Sequence, residues 1–274
     1  MKLPFAGLNP ERWASPLIDG DASSVLRAAR AQGPVRFIAT PWKVIATRPA
    51  SDWQAADLDD ALQDFDQIPL TAGDSAQVVS VYVRGSGAVP LHAGMFMAAD
   101  APLLAFIELA DRQRFRLLVD GGELVGMVTL SDLQRLPVYS LLFSLVIAVE
   151  SLLVEWVRIR CNEAPDSWLV HLSRAERDQI DRYYERSKSK NFAIDRLSCA
   201  TFGQEVKATI GMGLMREGDE RHRALLHLAE LRNDVCHAKE FAPTLDLALD
   251  VPRRVREALA LAYWLEQALG ARES

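Results

Sequence analysis

The sequence predicts an α+β protein in two parts, an N-terminal α/β part followed by a C-terminal part built only of helices. The first 135 residues alternate short apolar runs with short helical stretches, which is typical of α/β units. After Pro137, strand signals become rare and long helical patterns follow. We therefore place a domain boundary near Leu136, which divides the chain into residues 1–135 and 136–274.

Composition and charge are those of an ordinary folded protein. The 274 residues are 49% hydrophobic and 25% charged, with a formal net charge of −6. This charge argues against a protein that coats nucleic acid non-specifically, but it is compatible with a local basic binding site. The three cysteines form no C-x-x-C pair, so neither a zinc site nor a disulfide framework is expected. The N-terminus has no long apolar segment, so we expect no signal peptide and a cytoplasmic location.

In the first part, β-type runs predict strands and the intervening segments predict helices. Turn residues such as Asp120-Gly121-Gly122 separate these runs. The predicted strands are Val35–Ile38, Gln77–Val83 and Phe115–Val119, and the predicted helices are Leu58–Phe65 and Pro102–Ala110.

In the second part, the first predicted helix, Tyr139–Arg160, is apolar on almost every side. Such a helix must be covered by its own bundle or by a second subunit. Its uncharged run, Leu136–Val149, is shorter than the roughly 18–20 residues that a bilayer requires, so we expect a buried helix and no membrane span. Four further helices are predicted at Ser173–Lys188, Thr201–Met212, Glu220–His237 and Pro252–Leu269, with a capping box at Ser173 and Glu176 and with Pro252 in a first turn.

A motif with the chemistry of a ribose site ends the first part. The residues Gly126, Thr129 and Asp132 form the pattern G-x-x-T-x-x-D after a strand, a tight turn and a second strand. The Thr129 hydroxyl and the Asp132 carboxylate can hold ribose hydroxyls, and Gly126 lets a ligand approach the backbone. The residues alone also allow a second interpretation, in which Ser131 and Asp132 cap a helix and Thr129 only favours a strand.

This motif and the strands before it resemble the end of a CBS module, and residues 57–70 resemble the start of a preceding one. The resemblance implies a CBS pair over residues 1–135. It also implies an adenine nucleotide as a regulatory ligand, held by Gly126, Thr129 and Asp132. The first module departs from the family pattern, because no G-x-x-T-x-x-D follows Tyr82. We therefore expect the first of the two pockets to be degenerate.

The second part contains the pattern R-x4-H, from Arg232 to His237, with the polar Asn233 after the arginine. An imidazole can take up and return protons near neutral pH, and a guanidinium can stabilise charge on a phosphate. Asn233 lies one turn before His237, so it can orient the ring or contact a phosphate. On an ideal helix Arg232 and His237 point about 140° apart, so one helix alone does not bring them together.

The R-x4-H pattern, in its helical context from Val138 to Gly270, resembles the R-x4-6-H motif of HEPN domains, and Glu150 in the long first helix fits it. The resemblance implies a metal-independent endoribonuclease with Arg232, Asn233 and His237 as catalytic residues, completed across a homodimer axis. It also implies an RNA substrate, an antitoxin partner, a toxin or anti-phage role, and no cofactor for catalysis.

Two other hypotheses remain open for the second part. A HEPN-like bundle without catalysis would serve as a homodimeric nucleotide sensor that binds RNA or a partner protein. In an unrelated bundle, Arg232 would pair with Glu230 or Asp234 on the surface, and His237 would cap a helix end.

Overall fold

The computed structural model describes residues 33–51, 65–73, 77–190, 194–236 and 240–270. The predicted helix Leu58–Phe65 lies outside these residues except for Phe65, which is not helical. His237 also lies outside them.

Two four-stranded sheets make up the described first part. The strands are β1 (Thr40–Pro41), β2 (Arg48–Pro49), β3 (Gln67–Thr71), β4 (Val78–Val83), β5 (Gly87–Pro90), β6 (Phe96–Ala98), β7 (Phe115–Asp120) and β8 (Glu123–Thr129). One sheet has the order β2-β3-β4-β5 and the other the order β1-β8-β7-β6. In each sheet a strand runs parallel to the first strand of an antiparallel hairpin, β2 beside β3–β4 and β6 beside β7–β8. This repeat agrees with the predicted pair of similar α/β units.

Strand β7 is central to the packing because side chains on both of its faces are buried. Leu117 belongs to a cluster that also contains Val81 of β4, so this cluster joins the two sheets. The next residue, Leu118, points to the opposite face and joins the core that extends into the helical part. This alternation is that of a strand covered on both sides.

Two elements of the first part differ from the prediction. Val35–Ile38 was predicted as a strand, but Val35–Phe37 forms a 3-10 helix. The amides of Val35 and Arg36 bond to carbonyls of Ala101 and Ala99, which replaces the ladder of a strand. The second difference is β5, a hairpin strand after β4 that was not predicted.

The described residues of the second part form helices and the segments between them, without a strand. Its helices follow the short helix α1 (Leu103–Ile107) of the first part and are α2 (Leu136–Arg160), α3 (Arg174–Lys188), α4 (Phe202–Gly211), α5 (Glu220–Cys236) and α6 (Leu245–Gly270). Helix α2 packs against α4, α5 and α6 and forms the centre of the bundle. The predicted capping box at Ser173 and Glu176 is confirmed, with Ser173 as the N-cap residue of α3.

Helix α6 begins at Leu245, so the prediction that it starts at Pro252 is wrong. Thr244 caps the helix, because its hydroxyl accepts a hydrogen bond from the Leu247 amide at 3.3 Å. Ala248 and Val251 extend the buried face upstream of the proline. Pro252 therefore lies inside the helix and leaves one carbonyl of the preceding turn without its usual helical donor.

Helix α2 is long and apolar enough to cross a membrane by length and composition alone, the one such helix among the described residues. The core helix of a soluble protein meets the same criteria. Its side chains Leu141, Leu145, Val149 and Leu152 are fully or almost fully buried within this protein, as expected for a bundle centre. The predicted absence of a membrane span stays a prediction.

One hydrophobic core spans both parts of the chain. Val128 of β8 and Leu133, just after it, pack in the same cluster as Leu145 of α2 and Leu265 of α6. Helix α2 begins immediately after the 3-10 helix Leu130–Gln134, with Arg135 between them. The change near Leu136 is therefore a change of secondary structure and not a gap in the packing.

Candidate functional site

Thr129 and Asp132 form a capping box at the end of β8. The Asp132 carboxylate accepts hydrogen bonds from the Thr129 amide at 2.8 Å and from its hydroxyl at 3.2 Å. Arg135 pairs with the other carboxylate oxygen at 2.8 Å. Burial raises the pKa of Asp132, and the Thr129 and Arg135 contacts oppose this rise. The structure thus contains a helix cap, as the second interpretation of the motif predicted. The cap is formed by Thr129 and Asp132, whereas that interpretation named Ser131 and Asp132.

A cavity of about 340 Å³ adjoins this cap, and we call it the nucleotide cavity because the CBS resemblance predicts a nucleotide beside this motif. Its volume lies in the range of small-molecule sites, roughly 300–1000 Å³. The motif residues Thr129 and Asp132 line it, together with Met127, Ser131 and Arg135. The other lining residues come from β1 and the segment after it and from the residues around the start of β3, namely Thr40, Val44, Ile45, Ala46, Phe65, Asp66 and Gln67.

Gly126 lies against β1 and does not line the nucleotide cavity. A Cβ atom at this position would lie 2.8 Å from the Thr40 carbonyl oxygen. Gly126 is paired with Pro41 in the register of β1 and β8. The close approach that this glycine permits is therefore one between two strands, whereas the sequence predicted an approach by a ligand.

A second cavity, here called the junction cavity, lies where the two sheets meet the helical part. Its volume is about 330 Å³. Asp66, Gln67, Thr129 and Ser131 line both cavities, so the two spaces adjoin. Its remaining walls come from the end of β4, from Arg114 before β7, and from residues 242–245 and Ala248 of the second part.

In the helical part, Arg232 turns into the bundle and its Nε atom is buried. Among the described residues this atom has no hydrogen-bond partner. The guanidinium charge acts on two carboxyl groups, Glu150 of α2 and Glu205 of α4. Glu230, one of the two predicted surface partners of Arg232, pairs with Arg254 at 3.5 Å.

Glu205 is the most perturbed titratable group of this cluster. Its side chain belongs to a residue that is only 4% exposed, and its Oε2 atom has no hydrogen-bond partner in the described part of the chain. Burial raises the pKa of Glu205 to about 9, to which the nearby Glu150 contributes, while Arg232 opposes the rise. Burial also raises the pKa of Glu150. Glu205 is therefore neutral at pH 7, and Arg232 faces a carboxyl pair that carries less than its full charge.

Comparison with known proteins identifies similar structures but no sequence relatives. No protein-family model matches the chain, and no curated protein is significantly similar to it. One similar structure is the domain of a bacterial CNNM/CorC family Mg²⁺ transporter in complex with ATP, at 17% identity and a TM-score of 0.33, covering 40% of this chain and 90% of that one. Another structure of this domain has 18% identity and a TM-score of 0.32, and covers 46% and 87% of the two chains.

These neighbours are CBS domains, but at this identity and TM-score they do not assign the chain to a family. The CBS resemblance of the first part continues to rest on its sequence motif. They have no bearing on the HEPN resemblance, which stays a prediction.

The predicted catalytic residues are only partly placed by the structure. Asn233 is exposed near the end of α5, and Arg232 beside it is half-buried. His237 lies outside the described residues, so its position relative to Arg232 stays a prediction. The structure thus brings Arg232 together with Glu150, which the HEPN resemblance included, and with Glu205, which sequence analysis missed. The helical periodicity of the sequence could have revealed Glu205. It places this acidic residue on the same face of α4 as the apolar Phe202 and Val206, and that face is buried.

Proposed function

We propose that this protein is an adenine-nucleotide sensor whose helical part is the output domain. The observation that supports this most is the nucleotide cavity, which the motif residues Thr129 and Asp132 line at the interface of two repeated α/β units. The nucleotide class follows from the resemblance of this motif to CBS modules. Because the helical part shares its core with the second unit, a ligand in this cavity can influence the bundle.

The residues of the nucleotide cavity suit a nucleoside. Met127 and Ile45 supply apolar surface for a base, and the hydroxyls of Thr129 and Ser131 can bond to ribose or phosphate. Arg135 pairs with one oxygen of Asp132, whose side chain is only 7% exposed, so a ribose can displace the 45% exposed Arg135 only by supplying hydrogen bonds in its place. The freed carboxylate oxygen can then accept hydrogen bonds from the ribose hydroxyls.

Calorimetric titration with ATP, ADP, AMP and adenosine tests this function. The variant Ala46→Trp places an indole in the nucleotide cavity and should abolish binding. Ala88→Trp is the matched control, since Ala88 is exposed on β5 and lines neither cavity. If the wild type binds none of these ligands, or if Ala46→Trp binds as tightly as the wild type with an unchanged melting temperature, the proposal is wrong.

We propose metal-independent endoribonuclease activity as a second candidate for the helical part. It is favoured by the exposure of Asn233 beside Arg232, because RNA could reach this turn of α5 from solvent. His237 would act as the acid and base, and Arg232 would stabilise charge on the phosphate. The expected homodimer and antitoxin partner belong to this candidate.

Incubation with labelled RNA in the absence of metal, with and without ATP, tests the ribonuclease candidate. His237→Ala should abolish cleavage, whereas His92→Ala, at an exposed position in the first part, should leave it intact. Products should carry 2′,3′-cyclic phosphate ends. A folded wild type that cleaves no RNA under any condition would reject the ribonuclease and leave the sensor as the function.

A further inference from the structure

The junction cavity contains two arginines, one from each α/β unit. Arg84 follows directly after β4, and Arg114 directly precedes β7. The hydroxyls of Thr129 and Ser131 line the same space, as does Thr244 of the helical part. Guanidinium and hydroxyl groups that converge on one cavity are suited to a phosphate.

Both arginines can accept an anionic partner at little cost. Arg84 pairs with Asp66 at 3.2 Å, but the two side chains are 51% and 62% exposed, so the pair contributes little stability. Arg114 is exposed, and within the described residues it has no carboxylate partner. Among the described residues, no carboxylate therefore competes with an anion for Arg114.

The helical part closes the junction cavity. Thr244 and Leu245 line it at the point where α6 begins, and Ala248 lines it one turn later. An anion in the cavity would thus contact both α/β units and the first turn of α6. The nucleotide cavity shares Thr129 and Ser131 with this space, so one ligand can extend from one cavity into the other.

A short series of contacts connects the motif of the first part to the segment after the R-x4-H helix. The 3-10 helix that Thr129 caps ends at Gln134, whose side-chain oxygen accepts a hydrogen bond from the Tyr139 hydroxyl at 3.2 Å. The Tyr139 ring packs edge-to-face on Phe241, with 4.8 Å between centroids. Phe241 lies in the segment that leads from α5 to the junction cavity.

We propose that the junction cavity holds the phosphate chain of a nucleoside polyphosphate whose base and ribose occupy the nucleotide cavity. A phosphate held by Arg84 and Arg114 also contacts Thr244, and so ties the start of α6 and the segment before it to the first part. The state of the phosphate chain is thereby transmitted to the end of α5. This inference rests on the proposed nucleotide sensor, because it assumes a nucleoside in the neighbouring cavity.

Titration of the full chain with ATP and with adenosine, for the wild type and for Arg114→Gln, tests the inference. ATP should bind the wild type at least about tenfold more tightly than adenosine does. Arg114→Gln should weaken ATP binding by about tenfold and leave adenosine binding unchanged. Arg112→Gln is the matched control, since Arg112 is exposed two residues away and does not line the cavity. Arg84→Gln is a second variant with the same expected selectivity.

Hydrogen exchange supplies the coupling measurement. ATP should slow amide exchange at the start of α6 in the wild type, and neither adenosine with the wild type nor ATP with Arg114→Gln should do so. Equal affinities for ATP and adenosine, or equal losses of both in Arg114→Gln, would overturn the inference while the nucleotide sensor stands. Failure of both ligands to bind would overturn the inference together with the sensor.

Discussion

Arg256 of α6 and Asp111 of the first part form a bidentate ion pair across the boundary between the two parts. The Nη2–Oδ2 distance is 2.6 Å and the Nη1–Oδ1 distance is 3.1 Å. Arg256 also donates to the carbonyl of Glu108. The hydrogen bond from Arg256 lowers the pKa of Asp111, which shows that the folded state favours the charged carboxylate. Together with the shared core, this pair holds the first and second parts of the chain together.

The Arg256–Asp111 pair should contribute measurably to stability. Asp111→Asn weakens a charge-assisted contact that is only partly exposed, so we expect a loss of about 1 kcal/mol in the free energy of unfolding. Urea denaturation measures it. The control is Asp178→Asn, whose pair with Arg174 spans 4.0 Å in an exposed position and should contribute almost nothing. Equal effects of the two substitutions would show that Asp111 has no special role.

The raised pKa of Glu205 predicts a pH-dependent stability. The folded state keeps its proton up to about pH 9, whereas the ordinary pKa of 4.5 applies to the unfolded chain. The unfolded state binds fewer protons between these values, so stability is full below the lower value and falls as pH rises toward the higher one. The slope is at most about 1.4 kcal/mol per pH unit.

Glu205→Gln should remove this pH dependence. The variant should match the wild type in stability at about pH 5 and exceed it at about pH 8, by urea denaturation at both values. The control is Glu217→Gln, at an exposed position, which should have the stability of the wild type at both pH values. If the free energy of unfolding changes with pH by the same amount in the wild type and in Glu205→Gln, Glu205 is not buried as a neutral acid.

Gly126 should be intolerant of a side chain because of the approach of β1. Gly126→Ala brings a Cβ atom to 2.8 Å from the Thr40 carbonyl oxygen, and strand separation should cost about 1–3 kcal/mol. Gly203→Ala is the control, since a Cβ atom there meets no atom within 4 Å and alanine favours the helix. Thermal denaturation compares the two. An unchanged melting temperature for Gly126→Ala would show that β1 does not pair with β8 in this register.

Elements with strong local patterns were predictable from the sequence. Strands β4 and β7 have continuous β-type runs, and α3 begins with a capping box at Ser173. Pro252 was misleading because a proline suits a first turn, yet the Thr244 cap and the apolar periodicity before Pro252 start α6 earlier. The 3-10 helix at Val35 depends on hydrogen bonds to Ala99 and Ala101, which no local pattern reveals.

The candidate site was predictable only where it is contiguous in sequence. Thr129 and Asp132 belong to one short motif, and both line the nucleotide cavity. The junction cavity combines Arg84, Arg114 and Thr244, which are far apart in the chain and meet only through tertiary packing. The pairing of Gly126 with β1 was not predictable, because a two-residue strand leaves almost no signal in the sequence. Gly126 was therefore assigned to a ligand.

Photo-crosslinking with an azido derivative of ATP, followed by peptide mapping, tests most directly whether the nucleotide cavity is the sensor site. We predict labelling within residues 40–46 and 127–132, two segments that line this cavity, and loss of labelling in the presence of excess ATP. Labelling that ATP does not prevent, or that falls on other segments such as α3, would contradict the account.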